Sequence, residues 1–126
     1  MNVMASVLAW FYVVFGGLEL LSNGLHLATG RSRTWGRLQH GDLPPTATDD
    51  QVHAKVLRMF AVGAAVVALT VTALTTGTAW WVVAAGCAVA LVAAYDAVTH
   101  RFVRSTVALA VTVALLVLAT VAAVLD

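Results

Sequence analysis

Two carboxylic acids, Glu19 and Asp96, interrupt strongly apolar stretches of the chain, and each shares a helical face with a histidine. Glu19 is followed at i+4 and i+7 by Asn23 and His26, and Asp96 at i+4 by His100, spacings that bring side chains together on a helix. A lone carboxylate in hydrocarbon costs ~2.5–3.5 kcal/mol on insertion scales, so such a group faces a bundle interior, finds a partner or takes up a proton. Carboxyls that exchange protons near working pH are what general acid–base catalysis requires. Glu19, Asp96, His26 and His100 are therefore the catalytic candidates. Asn23, Arg58, His53 and Tyr12 are the substrate-binding candidates: Arg58 as a cation for either acid, His53 at the rim, and Tyr12 as an apolar roof on the Glu19 face.

The elements that position them are read from hydropathy. With 61% hydrophobic residues, 10% charged residues and a mean hydropathy of +0.92, the 126-residue chain is too apolar for a soluble domain. Four apolar runs, at about residues 3–27, 50–75, 79–99 and 102–125, each approach the ~20 residues that cross ~30 Å of hydrocarbon. The reading is all-α: an integral membrane four-helix bundle, up-down-up-down, forming one domain over residues 1–126. The first run has no basic leader and carries Glu19 and Asn23, so it reads as a retained helix and not a signal peptide.

Charge sets the orientation. All seven cations flank two of the connections: Arg31, Arg33, Arg37, Lys55 and Arg58 around the first, Arg101 and Arg104 around the third. By the positive-inside rule these connections are cytoplasmic and both termini lie outside, in a cell membrane. The four histidines, Glu19 and Asp96 all lie toward the same cytoplasmic side. Glu19 is about eight residues from its helix end, hence ~12 Å into the membrane. Anionic lipids are attracted to such a surface, worth ~1 kcal/mol per well-placed cation. The cations hug the membrane ends and form no recognition helix, which speaks against nucleic acid. The single cysteine, Cys87, excludes an internal disulfide and CxxC redox chemistry.

Local signals mark the joints. Thr29 and Gly30 end the first helix, and residues 29–49 form the main cytoplasmic loop, with Trp35 as an interfacial anchor and Pro44-Pro45 as an extended break. That segment lies on the membrane surface or folds over the bundle. Thr48 or Asp49 caps the second span, whose first turns (Gln51, His53, Lys55, Arg58) stay at the interface. His40 and His53 read as solvated rather than functional, with a place at the rim the one role open to His53. Thr75 to Thr78 form a tight outer turn before the aromatic pair Trp80-Trp81. Gly86, Ala90 and Ala94 permit close helix approach in the third span, and the fourth span reads as structural wall.

If the first and third spans pack with their polar faces together, Glu19, Asn23, His26, Asp96 and His100 line a pocket open to the cytoplasm. The primary reading is a ligand pocket performing acid–base chemistry of the isomerase, cyclase or hydrolase type on a lipophilic small molecule. Metal on Glu19, His26, Asp96 and His100, or haem between His26 and His100, would use the same residues without a tight motif such as HExxH, and neither is favoured. An accessory or assembly subunit of a larger membrane complex is the first alternative; the partners open to the chain are membrane lipids, a homo-oligomer or such a complex. A proton-coupled transporter is the second: four short spans with a single acid in the first resemble the small multidrug resistance family, and the resemblance implies a coupling role for Glu19. The long basic loop, the Asp96 and His100 pair and the one-sided charge depart from that family's pattern.

Overall fold

The computed structural model describes residues 1–126 and is entirely helical. Four helices are long and apolar enough to cross a membrane: α1 (Val3–Ala28), α3 (Asp49–Thr76), α4 (Trp80–His100) and α5 (Val103–Leu125). They lie where hydropathy places the spans. A fifth helix, α2 (Ser32–Gln39), occupies part of the segment read as a loop.

Each boundary has a local cause. The Asn2 side chain accepts a hydrogen bond from the Ala5 amide at 2.8 Å and starts α1. Thr48 starts α3 with a capping box: its hydroxyl accepts from the Gln51 amide at 3.2 Å, and the Gln51 side chain accepts from the Thr48 amide at 2.9 Å. Gly77, at φ 71°, ends α3 in the left-handed region where a glycine bears no Cβ penalty. Arg101 ends α4 at φ 49°, an unusual conformation for a side-chain-bearing residue, and α5 begins two residues later.

α1 packs mainly on α3, and α4 mainly on α5, with α3 bridging the pairs. The α1–α3 crossing is set by two glycines: a Cβ on Gly63 would lie 2.7 Å from the Leu20 amide nitrogen and 2.8 Å from the Gly16 carbonyl oxygen. In lipid there is no water to expel between helices, so such backbone-to-backbone approach, with its dispersion contacts, is what association rests on. Leu8, Ala9, Tyr12, Val62, Val66, Val82 and Val89 fill the interior behind the crossing. Large apolar side chains such as Leu21, Leu91 and Val124 cover the outside, as suits helices solvated by hydrocarbon.

At one end of the bundle Ala5, Ala79, Ala122 and Ala123 pack together, and the Asn2 amide donates to Asp126 at 2.6 Å. The chain termini and the α3–α4 turn therefore meet there. At the other end, residues 31 to 48 fold back over the helices. Gly36 lets α2 lie against Val52 and Val56 of α3, the Ser32 hydroxyl bonds His53 Nδ1 at 2.5 Å, and Arg37 donates to the Ala47 carbonyl at 2.8 Å and to Asp49 at 3.1 Å. Leu43, Ala47 and Val52 make a small apolar cluster beneath the segment, while Ser105 donates to the Asp42 carbonyl at 2.5 Å and ties it to α5. The segment is a lid on the bundle.

Candidate functional site

The inward stripe of α3 runs Val52, Val56, Met59, Val62 and Val66, and Lys55 falls on it. Its side chain is only 5% exposed, so the ammonium needs partners. It has two: Asp96 of α4 and, at 3.1 Å, Asp42 of the lid. Arg58, one turn along α3, donates to the second oxygen of Asp96 at 2.7 Å and lies over the Tyr95 ring at 4.8 Å. Asp42 and Asp96 thus balance Lys55 and Arg58, and the buried cluster is electrically neutral.

Glu19 is held differently. Its carboxylate accepts from the Asn23 amide at 2.7 Å and from the Gln39 amide at 3.4 Å, and it forms no ion pair. Asn23 is fully buried, and because its nitrogen faces Glu19 its oxygen faces His40, accepting from Nε2 at 2.7 Å. That fixes the tautomer: the His40 proton is on Nε2, and Nδ1 keeps its lone pair. Burial, reinforced by the nearby Lys55 ammonium, pushes the His40 pKa down to about 4, so the ring is neutral at physiological pH. Gln39 completes the assembly by donating to Ser22 at 2.7 Å and accepting from His26 Nε2 at 2.7 Å.

These two assemblies meet at a cavity of about 230 Å³. Its polar end is made by Glu19, Gln39, His40, Asp42 and Lys55. Its apolar wall includes Phe15, Met59, Val62, Val89 and Val92, closed on the α5 side by Ala108 and Thr112. Volumes of ~300–1,000 Å³ are usual for drug-sized ligands, so this chamber suits a smaller molecule or one end of a larger one. Amphipathic lining matches an amphiphile: donors and acceptors for a polar head, hydrocarbon for the rest.

The structure gathers Glu19, Asn23 and His26 through Gln39, and joins Asp96 to Arg58. It separates others. Asp96 turns to Lys55 and Arg58 and makes no bond with His100, because two cations on α3 compete for it better than an imidazole one turn away. The His100 side chain makes no hydrogen bond and does not line the chamber. His53 bonds Ser32 and braces α2 instead of guarding the rim. Tyr12 is buried beneath α4, with its hydroxyl 3.1 Å from where a Cβ on Gly86 would stand, and lies outside the chamber lining.

Two side chains are more enclosed than the sequence suggests. Lys55, read as one of the interfacial first turns of its helix, is buried, and His40, 5% exposed, is not solvated, which corrects that expectation. Together with Gln39 and Asp42 they supply most of the chamber's polar end, and none was among the site candidates. For Lys55 the signal was present: three and four residues from Val52 and Met59, it lies on the apolar stripe of its helix. For Gln39, His40 and Asp42 there was none, since only the fold of the lid brings them inward.

Comparison with protein-family models, curated proteins and solved structures finds no match, so the likeness to the small multidrug resistance family rests on span number and Glu19 alone. No three His, Cys, Asp or Glu side chains are grouped to hold a metal ion.

Proposed function

We propose that this chain is a multi-pass protein of the cell membrane whose chamber binds a small lipophilic molecule by its polar head and exchanges a proton with it. The lid faces the cytoplasm in this reading and both termini face outward, an orientation supported by the distribution of cations. One observation carries the proposal: an unpaired carboxylate, Glu19, linked through Asn23 to a neutral histidine at the polar end of an apolar-walled cavity.

The charges explain the division of labour. Asp96 and Asp42 are each engaged by a cation, so neither is free to act as a base, whereas Glu19 is held only by amides that orient it without neutralising it. Glu19 is the proton acceptor and donor. His40 Nδ1 offers a second lone pair to the head of the ligand, and the Lys55 ammonium stabilises negative charge that develops there. An isomerisation fits this set best: the carboxylate removes a proton from one atom of the substrate and returns it to another, so nothing is consumed and no co-reactant is needed. The Glu19 role passes to this arrangement from the sequence; those of Asp96 and His100 do not.

The experiment is native mass spectrometry of protein purified from its own membranes, with extraction and identification of whatever small molecule it retains. A bound amphiphile is expected in the wild type and in Glu19→Gln, and its loss in Ala93→Phe, which fills the chamber. Glu19→Gln should then leave the retained molecule unconverted. Retention unaffected by Ala93→Phe would refute the chamber as the site, and a stoichiometric protein partner in place of a small molecule would favour an assembly subunit instead.

A further inference from the structure

A second pocket, of about 370 Å³, lies on the other side of the lid. Arg37, His40 and Arg104 form its polar side, and Leu43, Pro44 and Phe102 much of the rest; no carboxylate lines it. Arg104 has a single hydrogen bond, to the Gly41 carbonyl at 3.4 Å, and no ion pair, so nearly its whole guanidinium fork is open. Arg37 is ion-paired to Asp49 at 3.1 Å and bonded to the Ala47 carbonyl through the same Nη2, so its remaining N–H groups can donate to a ligand while Arg104 alone brings an unbalanced charge. The pocket also borders the start of α5, where no side chain caps the helix and the first N–H groups form the positive end of its dipole. The unpaired Arg104 guanidinium and the uncapped start of α5 both suit an anion. Guanidinium pairs match phosphate oxygens in both charge and geometry.

Position narrows the anion. α5 is a 23-residue apolar helix, and Arg104 is in its first turn, at the depth where lipid headgroups begin. Leu43, Pro44 and Phe102 offer hydrocarbon beside the two cations, which a free phosphate has no use for and a glycerophospholipid does. A zwitterionic headgroup would bring its ammonium toward Arg37 and Arg104, where Asp49 lies outside the lining and is already paired with Arg37. We propose that this pocket, a site distinct from the inner chamber, binds the phosphate of an anionic phospholipid. His40 forms part of both linings, so lipid bound outside would brace the histidine that orients Asn23 within.

The test mixes detergent-purified protein with equal amounts of phosphatidylglycerol and phosphatidylcholine and counts retained lipid by native mass spectrometry. Wild type should retain phosphatidylglycerol preferentially. Arg104→Gln and Arg37→Gln should each weaken that retention about tenfold, the loss expected for a charge-assisted hydrogen bond, with Arg104→Lys intermediate. Arg31→Gln removes another unpaired cation from the same end of the bundle and should leave retention unchanged. Helical circular dichroism of each variant verifies folding, and Arg104→Lys keeps the test decisive should Arg37→Gln release the lid. Equal retention of both lipids, or an Arg31→Gln effect as large as that of Arg104→Gln, would overturn the proposal. So would glycerol 3-phosphate binding at the pocket while phosphatidylglycerol does not.

Discussion

Replacing Asp96 by Asn removes one charge from a neutral cluster of four and leaves the side chain's shape nearly intact. Lys55, 5% exposed, keeps only Asp42, which is itself 26% exposed, and Arg58 keeps no carboxylate partner. Removing one member of a buried pair costs ~3–5 kcal/mol, because the other charge stays buried without compensation. Asp96→Asn should fall in that range. Lys55→Met should cost less, about 1–3 kcal/mol, since Arg58 still holds Asp96 and Asp42 can turn toward solvent. The double variant restores neutrality, with Asp42 and Arg58 the remaining charges. It should therefore be more stable than the sum of the two singles by ~1–3 kcal/mol, a coupling typical of residues in one network. The assay is reversible unfolding in mixed micelles followed by helical circular dichroism, with all four proteins measured at one pH. An Asp96→Asn loss below about 1 kcal/mol, or singles that add to within about 0.5 kcal/mol, would refute the view that this cluster is a buried, mutually dependent unit.

Further outcomes follow from other parts of the molecule. Gly63→Ala should destabilise the protein by about 1–3 kcal/mol, because the new methyl meets α1 backbone that cannot rotate away, whereas Gly17→Ala, with nothing within 4 Å of its Cβ position, should be near neutral in the same unfolding assay. His40 links stability to pH. Its folded pKa of about 4 lies below the usual value of 6.5, so between these the unfolded chain binds more protons than the folded one. The stabilisation is complete above pH 6.5 and declines as pH falls toward 4, by up to about 3 kcal/mol, and His40→Gln should flatten that part of the stability–pH curve. Gln39→Ala should remove the bridge among His26, Ser22 and Glu19, exposing α2 to faster amide hydrogen exchange while α3 and α4 keep their protection.

Hydropathy and end signals were enough for the long helices, because a span in hydrocarbon must satisfy all its backbone groups within itself and so leaves a contiguous apolar run. Thr48, Gly30 and Gly77 mark their ends through local chemistry and were equally legible. Glu19 and Asn23 stood out for the same reason, as polar groups where the solvent does not tolerate them.

What the sequence by itself determined, then, was the number and place of the apolar helices and the presence of a polar site toward one end. The choice of partners was decided only in three dimensions. Asp96 pairs with Lys55 and Arg58 and not with His100, a choice set by α3 lying between α1 and α4. The lid turns Gln39, His40 and Asp42 inward because Gly36 lets α2 close on Val52 and Val56, and because Ser105 anchors Asp42 from a helix 63 residues away. Local periodicity records which side of a helix is polar, but the free energy of a buried charge depends on what stands opposite it, and that is a property of the packed bundle alone.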